Sequence, residues 1–173
     1  VTRELQYAKR NNNGPRYHYE DGKLYGKGVM KEKDIFAGPW TFYFASGNKK
    51  AEGSFNNKGE KDGAFSYYYF NGQLKAVETY RNGKQEGAET YYYDQGVVAS
   101  RSTYKNGEPD GKSVTYHENG VVKGIAHYSD GQLNGVNQTF YSAGPLQMEE
   151  NFVNGKRQGP VKTYYISGRP ETE

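Results

Sequence analysis

The chain of 173 residues contains no cysteine and has few apolar side chains. Without cysteine, a disulfide scaffold, a cysteine-ligated zinc ribbon and a cysteine nucleophile are all excluded. No apolar run approaches the roughly 18 residues that a transmembrane helix needs. Hydrophobic residues make up only 34% of the chain. This apolar mass is too small for a thick core between two layers of secondary structure.

Tyrosine, phenylalanine and glycine are abundant instead. The chain has 18 Tyr, 8 Phe and 23 Gly, but only five Leu. Aromatic residues favour strands, and the shortage of strong helix formers argues against a helical bundle. An aromatic content of 16% is also too high for a disordered chain. Composition therefore predicts a folded, β-rich protein and names no function.

Glycine recurs with a period of 24 residues. The first glycine of each repeat stands at positions 14, 38, 63, 87, 111, 135 and 159, with spacings of 24 residues except for one of 25. A second glycine follows nine residues later in every repeat except the first. A fixed period of this length is typical of repeat architectures. We predict six full repeats over residues 14–158, the second half of a truncated repeat at 1–13, and a C-terminal half-repeat at 159–173.

Each repeat reads as a β-hairpin. In the repeat that begins at Gly63, Ala64–Phe70 forms one strand, Asn71-Gly72 a two-residue turn, and Leu74–Arg81 the returning strand. Asn82-Gly83 then links this hairpin to the next. A two-residue turn predicts that Tyr67 lies opposite Ala76 and that Tyr69 lies opposite Leu74.

Strand alternation predicts two different faces. An inner, dry face collects Trp40, Phe65 and Tyr67, while lysine and glutamate dominate the opposite face. One column on that opposite face is nevertheless aromatic in every repeat, and it comprises Tyr43, Tyr68, Tyr92, Tyr116, Phe140 and Tyr164. This column is either a ladder that stiffens the sheet or a contact stripe, and its presence in every repeat favours the ladder.

The repeat motif resembles a known family. The pattern G-x-x-x-x-Y-Y-x-x-G-x-L/V-K followed by Y-x-N-G-K-x-x-G, as in Gly63–Gly87, is similar to the MORN-repeat variant family, and residues 87–111 and 135–159 repeat it closely. The resemblance implies an all-β fold, an elongated single-layer antiparallel meander of about seven MORN-like hairpins. It also implies a bacterial origin among YwqK-like, antitoxin-type repeat proteins. Related MORN repeats imply scaffolding or contact with membrane lipid.

We predict no catalytic, cofactor-binding or metal site. His117 and His127 fall on opposite faces of one hairpin, in columns filled elsewhere by Tyr, Ser or Thr. The adjacent carboxylates Glu149 and Glu150 also point to opposite faces, so they cannot act as an acid–base pair. The chain has no H-E-x-x-H motif and no G-x-S-x-G motif. The sequence therefore predicts a non-enzymatic protein without a cofactor.

Two classes of binding function remain. The first is a protein-binding module, most concretely an antitoxin or immunity-like partner of a toxin. Its predicted contact face is Tyr67, Tyr69, Tyr91 and Tyr93, because tyrosine is enriched at interface hot spots. The second is a scaffold or spacer that contacts anionic membrane lipid.

The lipid alternative depends on a basic N-terminal region. Residues 1–50 contain 10 Lys and Arg against 5 Asp and Glu. The predicted anionic-surface contacts are Lys23, Lys27, Lys31 and Lys33. These lysines could instead protect an open sheet edge from aggregation. A net charge of +3 is small for a nucleic-acid binder, which disfavours that partner. The sequence leaves the compartment and the oligomeric state open.

Overall fold

A computed structural model describes residues 16–20, 22–31 and 35–171, with the backbone alone for 16–20. The predicted half-repeat at 1–13 lies outside these residues. The chain divides into two compact units, unit 1 (Val1–Lys84) and unit 2 (Gln85–Glu173). The described ranges contain strands and turns but no helix, and therefore no helix that is long and apolar enough to cross a membrane. The predicted all-β, antiparallel hairpin fold is confirmed.

The described part of unit 1 contains six strands in one antiparallel sheet. Neighbours in sequence are neighbours in the sheet, as expected for successive hairpins. The strands are β1 (Arg16–Glu20), β2 (Lys23–Lys31), β3 (Ile35–Tyr43), β4 (Lys49–Phe55), β5 (Gly63–Tyr68) and β6 (Leu74–Arg81).

Unit 2 is built in the same way from nine strands, the first of which begins at the last residue of unit 1. Two of them are short extensions that pair only with the preceding long strand. The strands are β7 (Lys84–Tyr92), β8 (Val98–Lys105), β9 (Glu108–Pro109), β10 (Gly111–Tyr116), β11 (Val122–Ser129), β12 (Gln132–Leu133), β13 (Gly135–Phe140), β14 (Leu146–Val153) and β15 (Lys156–Thr163).

The two-residue turns are the Asn-Gly and Asp-Gly pairs that end the periods beginning at Gly63, Gly87, Gly111 and Gly135. In unit 2, Lys105 pairs with Glu108, which leaves only Asn106 and Gly107 in the loop. Their φ angles are +55° and +93°. A type I′ turn requires positive φ at both central residues, and Asn-Gly tolerates this best. In unit 1, Asn82-Gly83 has the same geometry, with φ of +48° and +79°.

Asn71-Gly72 forms a longer loop, so the predicted two-residue turn there is wrong. The N–H of Tyr69 donates to the Gln73 carbonyl (2.8 Å), and the N–H of Gly72 donates to the Tyr69 carbonyl (2.9 Å). This is a three-residue loop closed by a glycine at positive φ, +88°. The predicted pairing of Tyr69 with Leu74 is therefore also wrong, because Leu74 pairs with Tyr68.

A β-bulge then restores the predicted register. One extra residue, Lys75, is inserted in β6 between the residues that pair with Tyr68 and Tyr67. Tyr67 consequently lies opposite Ala76, as predicted. The single 25-residue period has a related cause. Residues 57–59 form a three-residue loop where the later repeats have two-residue turns, since Asn56 donates its N–H to the Glu60 carbonyl (2.8 Å).

The core of unit 1 consists of aromatic rings that lie directly on glycine backbone. Trp40 and Phe65 are the largest fully buried side chains of the described residues, which confirms the predicted inner face. A Cβ atom on Gly28 would lie 2.3 Å from the Trp40 ring, and one on Gly53 would lie 2.5 Å from the Phe65 ring. Glycine is thus required at both positions for close ring packing. The indole N–H of Trp40 donates to the Val29 carbonyl (2.7 Å).

Backbone hydrogen bonds join the turn of each repeat to the preceding repeat. The amide of the turn glycine donates to a carbonyl 22 residues earlier, at 2.8–2.9 Å, in the pairs Gly83–Lys61, Gly107–Gln85, Gly131–Pro109 and Gly155–Leu133. A carboxylate adds a second bond at several turns. Glu86 Oε2, for example, accepts the amide N–H of Asn106 (2.7 Å). These bonds fix the register between repeats.

Candidate binding surfaces

The side chain of Lys61 lies among three aromatic rings of unit 1. We call Phe65, Tyr67 and Tyr80 the lysine cage. Lys61 Nζ is 5.0, 5.2 and 4.5 Å from the centroids of the Phe65, Tyr67 and Tyr80 rings. It also donates to Tyr67 Oη (2.5 Å) and Tyr80 Oη (3.4 Å). Cation–π attraction and hydrogen bonds therefore both hold the ammonium group of Lys61 in place.

The strand register explains why these rings share one face. Gly63 pairs with Tyr80, Phe65 with Glu78, and Tyr67 with Ala76. Alternate residues of a strand point to the same side of the sheet, so the cage residues stand next to one another. Lys61 reaches them from the segment just before β5.

A carboxylate lies beside the cage. Glu78 is only 9% exposed, and its Oε2 accepts a hydrogen bond from Tyr80 Oη. Burial is the main cause that raises the pKa of Tyr80 above its ordinary value, and the hydrogen bond to Glu78 adds to it. The ammonium of Lys61 opposes the shift. The phenol thus stays protonated and acts as a donor.

The four predicted contact tyrosines are divided between the units. Tyr67 and Tyr69 belong to unit 1, where Tyr67 is part of the lysine cage and Lys75 Nζ lies 5.7 Å from the centroid of the Tyr69 ring. Tyr91 and Tyr93 belong to unit 2. All four side chains are half-buried. Their role in binding a partner stays a prediction.

The hydroxyl of Tyr93 links neighbouring repeats. It donates to the Tyr116 carbonyl (2.7 Å), and Tyr141 makes the equivalent bond to the Tyr164 carbonyl (2.9 Å). His117 occupies the same column, and its Nε2 lies 3.0 Å from the Phe140 carbonyl. Since a carbonyl only accepts, the imidazole donates there. This bond is consistent with the prediction that His117 replaces a repeat tyrosine.

The outer face carries paired charges. Lys49 Nζ lies 2.8 Å from Glu52 Oε2, and Tyr68 Oη donates to Glu52 Oε1. The bonds from Lys49 and Tyr68 hold the pKa of Glu52 below its ordinary value. In unit 2, Glu149 occupies the repeat position of Glu52. Lys162 Nζ lies 2.8 Å from Glu149 Oε1 and lowers the pKa of that carboxyl. This face is solvated and charged, as predicted.

Two of the predicted anionic-surface lysines, Lys27 and Lys31, lie on one side of β2, whereas the bulge between Leu24 and Gly26 places Lys23 on the other side. Lys23, Lys27 and Lys31 are exposed, while alternate residues such as Met30 are buried. At about 3.3 Å per residue, Lys27 and Lys31 are roughly 13 Å apart along the strand. Lys31 Nζ donates to Asn57 Oδ1 (2.7 Å). Lys33 lies outside the described residues.

Catalytic or metal chemistry has little support in the geometry. Among the described residues, no group of three or more His, Cys, Asp or Glu is placed to hold a metal ion. The larger of two surface cavities described in unit 2 has a volume of about 460 Å³, and its lining includes His117, Lys123 and Glu171. The ring of His117 is bonded to backbone there. The absence of activity and of a cofactor stays a prediction.

Sequence reasoning missed three residues at these surfaces, namely Lys61, Glu78 and Glu89. Glu89 is 7% exposed and accepts a hydrogen bond from Gln85 Nε2. Each of the three differs from a neighbouring repeat at the equivalent position. Glu78 stands where the preceding repeat has Gly53, Glu89 where the preceding repeat has Phe65, and Lys61 where the following repeat has Gln85. Such departures from the repeat are the signal that would have found them.

Comparison with known families finds a match to the repeats. A family model described as a MORN repeat variant matches residues 37–57, 61–82, 85–106 and 109–130. These four segments cover half of the chain and follow one another at the period of the glycines. No curated protein matches the chain.

Proposed function

Because the chain belongs to the MORN repeat variant family, we propose that it is a non-enzymatic module that binds another protein through inner-face tyrosines. Repeats of this family are protein-binding or membrane-binding modules and are not a known enzyme family. The contact residues are Tyr67 and Tyr69 in unit 1 and Tyr91 and Tyr93 in unit 2.

The distribution of burial carries this proposal. Every buried hydrophobic side chain of the described residues lies between Met30 and Ala76, within unit 1. In the described part of unit 2, the rings of Tyr91 and Tyr93 stay half-buried. The described strands of unit 2 form a sheet without a second layer, so these rings keep apolar area that a partner can cover. Half-exposed tyrosines offer large contact area with little side-chain entropy to lose.

The resemblance to antitoxin-type proteins supports a toxin as the partner. A module of this kind masks a surface of the toxin rather than altering it chemically. Rings flanked by lysines and carboxylates suit such a contact, since charge complementarity adds specificity to the apolar area. Purified chain should then inhibit the partner's activity at a one-to-one ratio.

Site-specific photocrosslinking tests the proposal, with neighbouring tyrosines as matched positions. A benzophenone amino acid replaces Tyr91 in one variant and Tyr92, on the opposite face, in the other. Both are expressed in cells that naturally make the chain. We expect the variant at position 91 to crosslink one defined protein and the variant at 92 to give much less. Equal crosslinking at both positions, or none at 91, would contradict the inner face as the contact surface.

The exposed row of lysines on β2 favours a second candidate function, contact with anionic lipid. Two positive charges on one side of β2, Lys27 and Lys31, with Lys23 exposed at the start of the strand, suit a surface of phosphate groups, and each is worth about 1 kcal/mol near such a membrane. The test measures sedimentation with phosphatidylcholine vesicles that contain or lack phosphatidylserine. We expect binding only to the anionic vesicles, and its loss in added salt.

A matched pair of triple variants assigns that binding. One replaces Lys23, Lys27 and Lys31 with Gln, and the control replaces three exposed lysines elsewhere, Lys58, Lys84 and Lys112. Both lose the same net charge. If the two variants bind anionic vesicles equally weakly, the row on β2 has no special role.

A further inference from the structure

Two neighbouring hairpin loops of unit 1 lie side by side at one end of its strands. They join β3 to β4 and β5 to β6, and we call residues 44–48 and 69–73 the paired loops. The N–H of Phe44 donates to the Asn48 carbonyl (2.8 Å), and Tyr69 and Gln73 make the equivalent bond in the second loop. Asn48 Nδ2 also donates to the Phe70 carbonyl (2.9 Å), which joins the two loops.

Phe70 carries a large apolar side chain at the tip of the second loop. It is 63% exposed, more than any other large hydrophobic side chain of the described residues. The Phe44 ring packs edge-to-face on it, with the centroids 5.6 Å apart. The fold thus leaves in water a ring that a binding partner can cover.

The charge around this ring is positive. Residues 44–51 and 69–76 contain three lysines and no Asp or Glu. Lys49 pairs with Glu52 on the outer face. Lys50 Nζ lies 5.9 Å from the centroid of the Phe44 ring, and Lys75 Nζ lies 5.7 Å from that of Tyr69. Both of these lysines are exposed, so two ammonium groups flank the apolar tip.

The equivalent loops of unit 2 lack this combination. The position of Phe70 is taken in the next three repeats by Asp94, Glu118 and Ser142. The last repeat has Ile166 there, which is 60% exposed, but Glu171 stands at the position of Lys75. An apolar tip flanked by lysines is therefore a feature of unit 1 and not of the repeat.

We propose that the paired loops insert the Phe70 ring into the interfacial region of an anionic phospholipid bilayer, with Lys50 and Lys75 against the lipid phosphates. Apolar and aromatic side chains enter this region while neighbouring lysines gain from the negative surface potential. The inference rests on the second candidate function and deepens it, because it names the group that enters the bilayer. The start of β2, with Lys23, lies at the same end of the strands, since Gly26 pairs with Phe42.

The arrangement suits a bilayer better than a pocket in a protein. A protein pocket for Phe70 would need acidic groups placed to match both Lys50 and Lys75. A bilayer presents phosphate groups at every position and apolar chains directly beneath them. The lysine stems can lie along the Phe44 and Tyr69 rings while the ammonium groups reach the phosphates.

A tryptophan at position 70 of the full chain reports insertion directly. Phe70→Trp is mixed with phosphatidylcholine vesicles that contain phosphatidylserine. We expect its emission to shift to shorter wavelength and to be quenched by brominated acyl chains, whereas vesicles without phosphatidylserine should have little effect. Trp40, which is 2% exposed, gives the same background in every variant.

The matched control is Ile166→Trp, at the same loop position but with Glu171 in place of the flanking lysine. We expect its emission to change little. An unchanged spectrum at position 70, an equal response at position 166, or an equal response to vesicles without phosphatidylserine would overturn the inference.

Sedimentation with the anionic vesicles measures the contribution of each group. Phe70→Ser should weaken binding by about 10-fold, because the apolar area is lost. Replacing Lys50 and Lys75 together with Gln should also weaken binding by about 10-fold or more and reduce its dependence on salt. The control replaces two exposed lysines at the opposite end of the strands, Lys58 and Lys84, and should bind nearly as the wild type does. Equal loss in the two lysine pairs would contradict the inference.

A folding defect in Phe70→Ser would not decide the question by itself. Thermal unfolding shows whether each variant is folded. Phe70→Trp keeps a ring that can pack on Phe44, and it should bind anionic vesicles at least as tightly as the wild type. Binding by Phe70→Trp that is as weak as that of a folded Phe70→Ser would refute insertion.

Failure of this inference can be distinguished from failure of the second candidate function. Sedimentation with anionic vesicles without a spectral response at position 70 would overturn insertion and leave lipid contact by the β2 lysines standing. No sedimentation at all would contradict both. A defined protein crosslinked through position 70, without any response to vesicles, would make the paired loops a protein-docking surface and would also overturn the inference.

Discussion

Replacing Gly53 with Ala should destabilise unit 1, because the Phe65 ring occupies the space that a side chain would need. The added Cβ would lie 2.5–2.6 Å from three atoms of that ring, whereas ordinary contacts begin at 3.4 Å. The ring cannot simply retreat, since it also packs on Phe55 and Tyr80, with centroid distances of 5.3 and 5.6 Å. Either the ring or strand β4 must move by roughly 1 Å, which overpacked cores resist.

The expected loss follows from two opposing effects. Overpacking of this kind costs about 1–3 kcal/mol. Replacing glycine by alanine also restricts the unfolded chain and returns about 0.4–1 kcal/mol. The free energy of unfolding should therefore fall by roughly 1–2 kcal/mol. A suitable control is Gly124→Ala, whose Cβ would meet only the hydroxyl oxygen of Thr115, at 3.0 Å, and the Gln138 carbonyl, at 3.5 Å.

Urea unfolding followed by circular dichroism measures both variants. Fluorescence of Trp40 reports unit 1 separately, because this residue is the only tryptophan and lies in unit 1, where it is 2% exposed. We expect Gly53→Ala to shift the fluorescence midpoint to lower urea and Gly124→Ala to leave it unchanged. A Gly53→Ala protein as stable as the wild type would refute the argument that Phe65 requires a bare backbone there.

Three further changes have defined outcomes. Trp40→Phe removes the hydrogen bond to the Val29 carbonyl and should cost about 1–2 kcal/mol in urea unfolding. Because the folded state raises the pKa of Tyr80, the stabilisation from the protonated phenol is complete below pH 10.0, the ordinary pKa, and is lost as the pH rises through the folded pKa. The Tyr80→Phe variant lacks this group. When melting temperatures below and above pH 10.0 are compared, the stability of the variant should therefore fall less than that of the wild type. Asn106→Ala places alanine at a φ of +55° and should lower the thermal midpoint by the equivalent of about 1 kcal/mol, whereas Ala at the exposed neighbour Lys105 should change it little.

The spacing of the glycines was enough to predict a hairpin repeat, but not which glycine closes which turn. Asn71-Gly72 and Asn82-Gly83 are the same dipeptide, yet the first lies in a three-residue loop and the second has the angles of a type I′ turn. The predicted face is nevertheless right for Tyr67 and Ala76, although it is wrong for Leu74, which pairs with Tyr68 of the opposite face. The longer loop shifts the register by one residue, and the bulge at Lys75 shifts it back before Tyr67 is reached. Bulges carry no clear sequence signal, so this cancellation could not be predicted.

The candidate sites were harder to predict than the fold, because averaging over repeats hides the exceptions. The prediction singled out tyrosines that recur at equivalent positions. The cage depends instead on Lys61, which has no equivalent lysine in the following repeat, where Gln85 takes its place. Glu89 was not among the predicted site residues, and only the structure shows that it is buried. Repetition thus predicts architecture, whereas departures from repetition mark specialised sites.

The hydrogen bonds from each turn to the preceding repeat also determine the order in which structure can appear during synthesis. Side-chain hydrogen bonds between neighbouring repeats also span short separations, for example 26 residues between Lys31 and Asn57 and between Asn56 and Asn82. The partners of each new hairpin have therefore already left the ribosome when the hairpin itself emerges. Local pairing of this kind costs little loop-closure entropy. Each hairpin can dock on a finished template as translation proceeds, and the open strand edge that invites aggregation is replaced about every 24 residues.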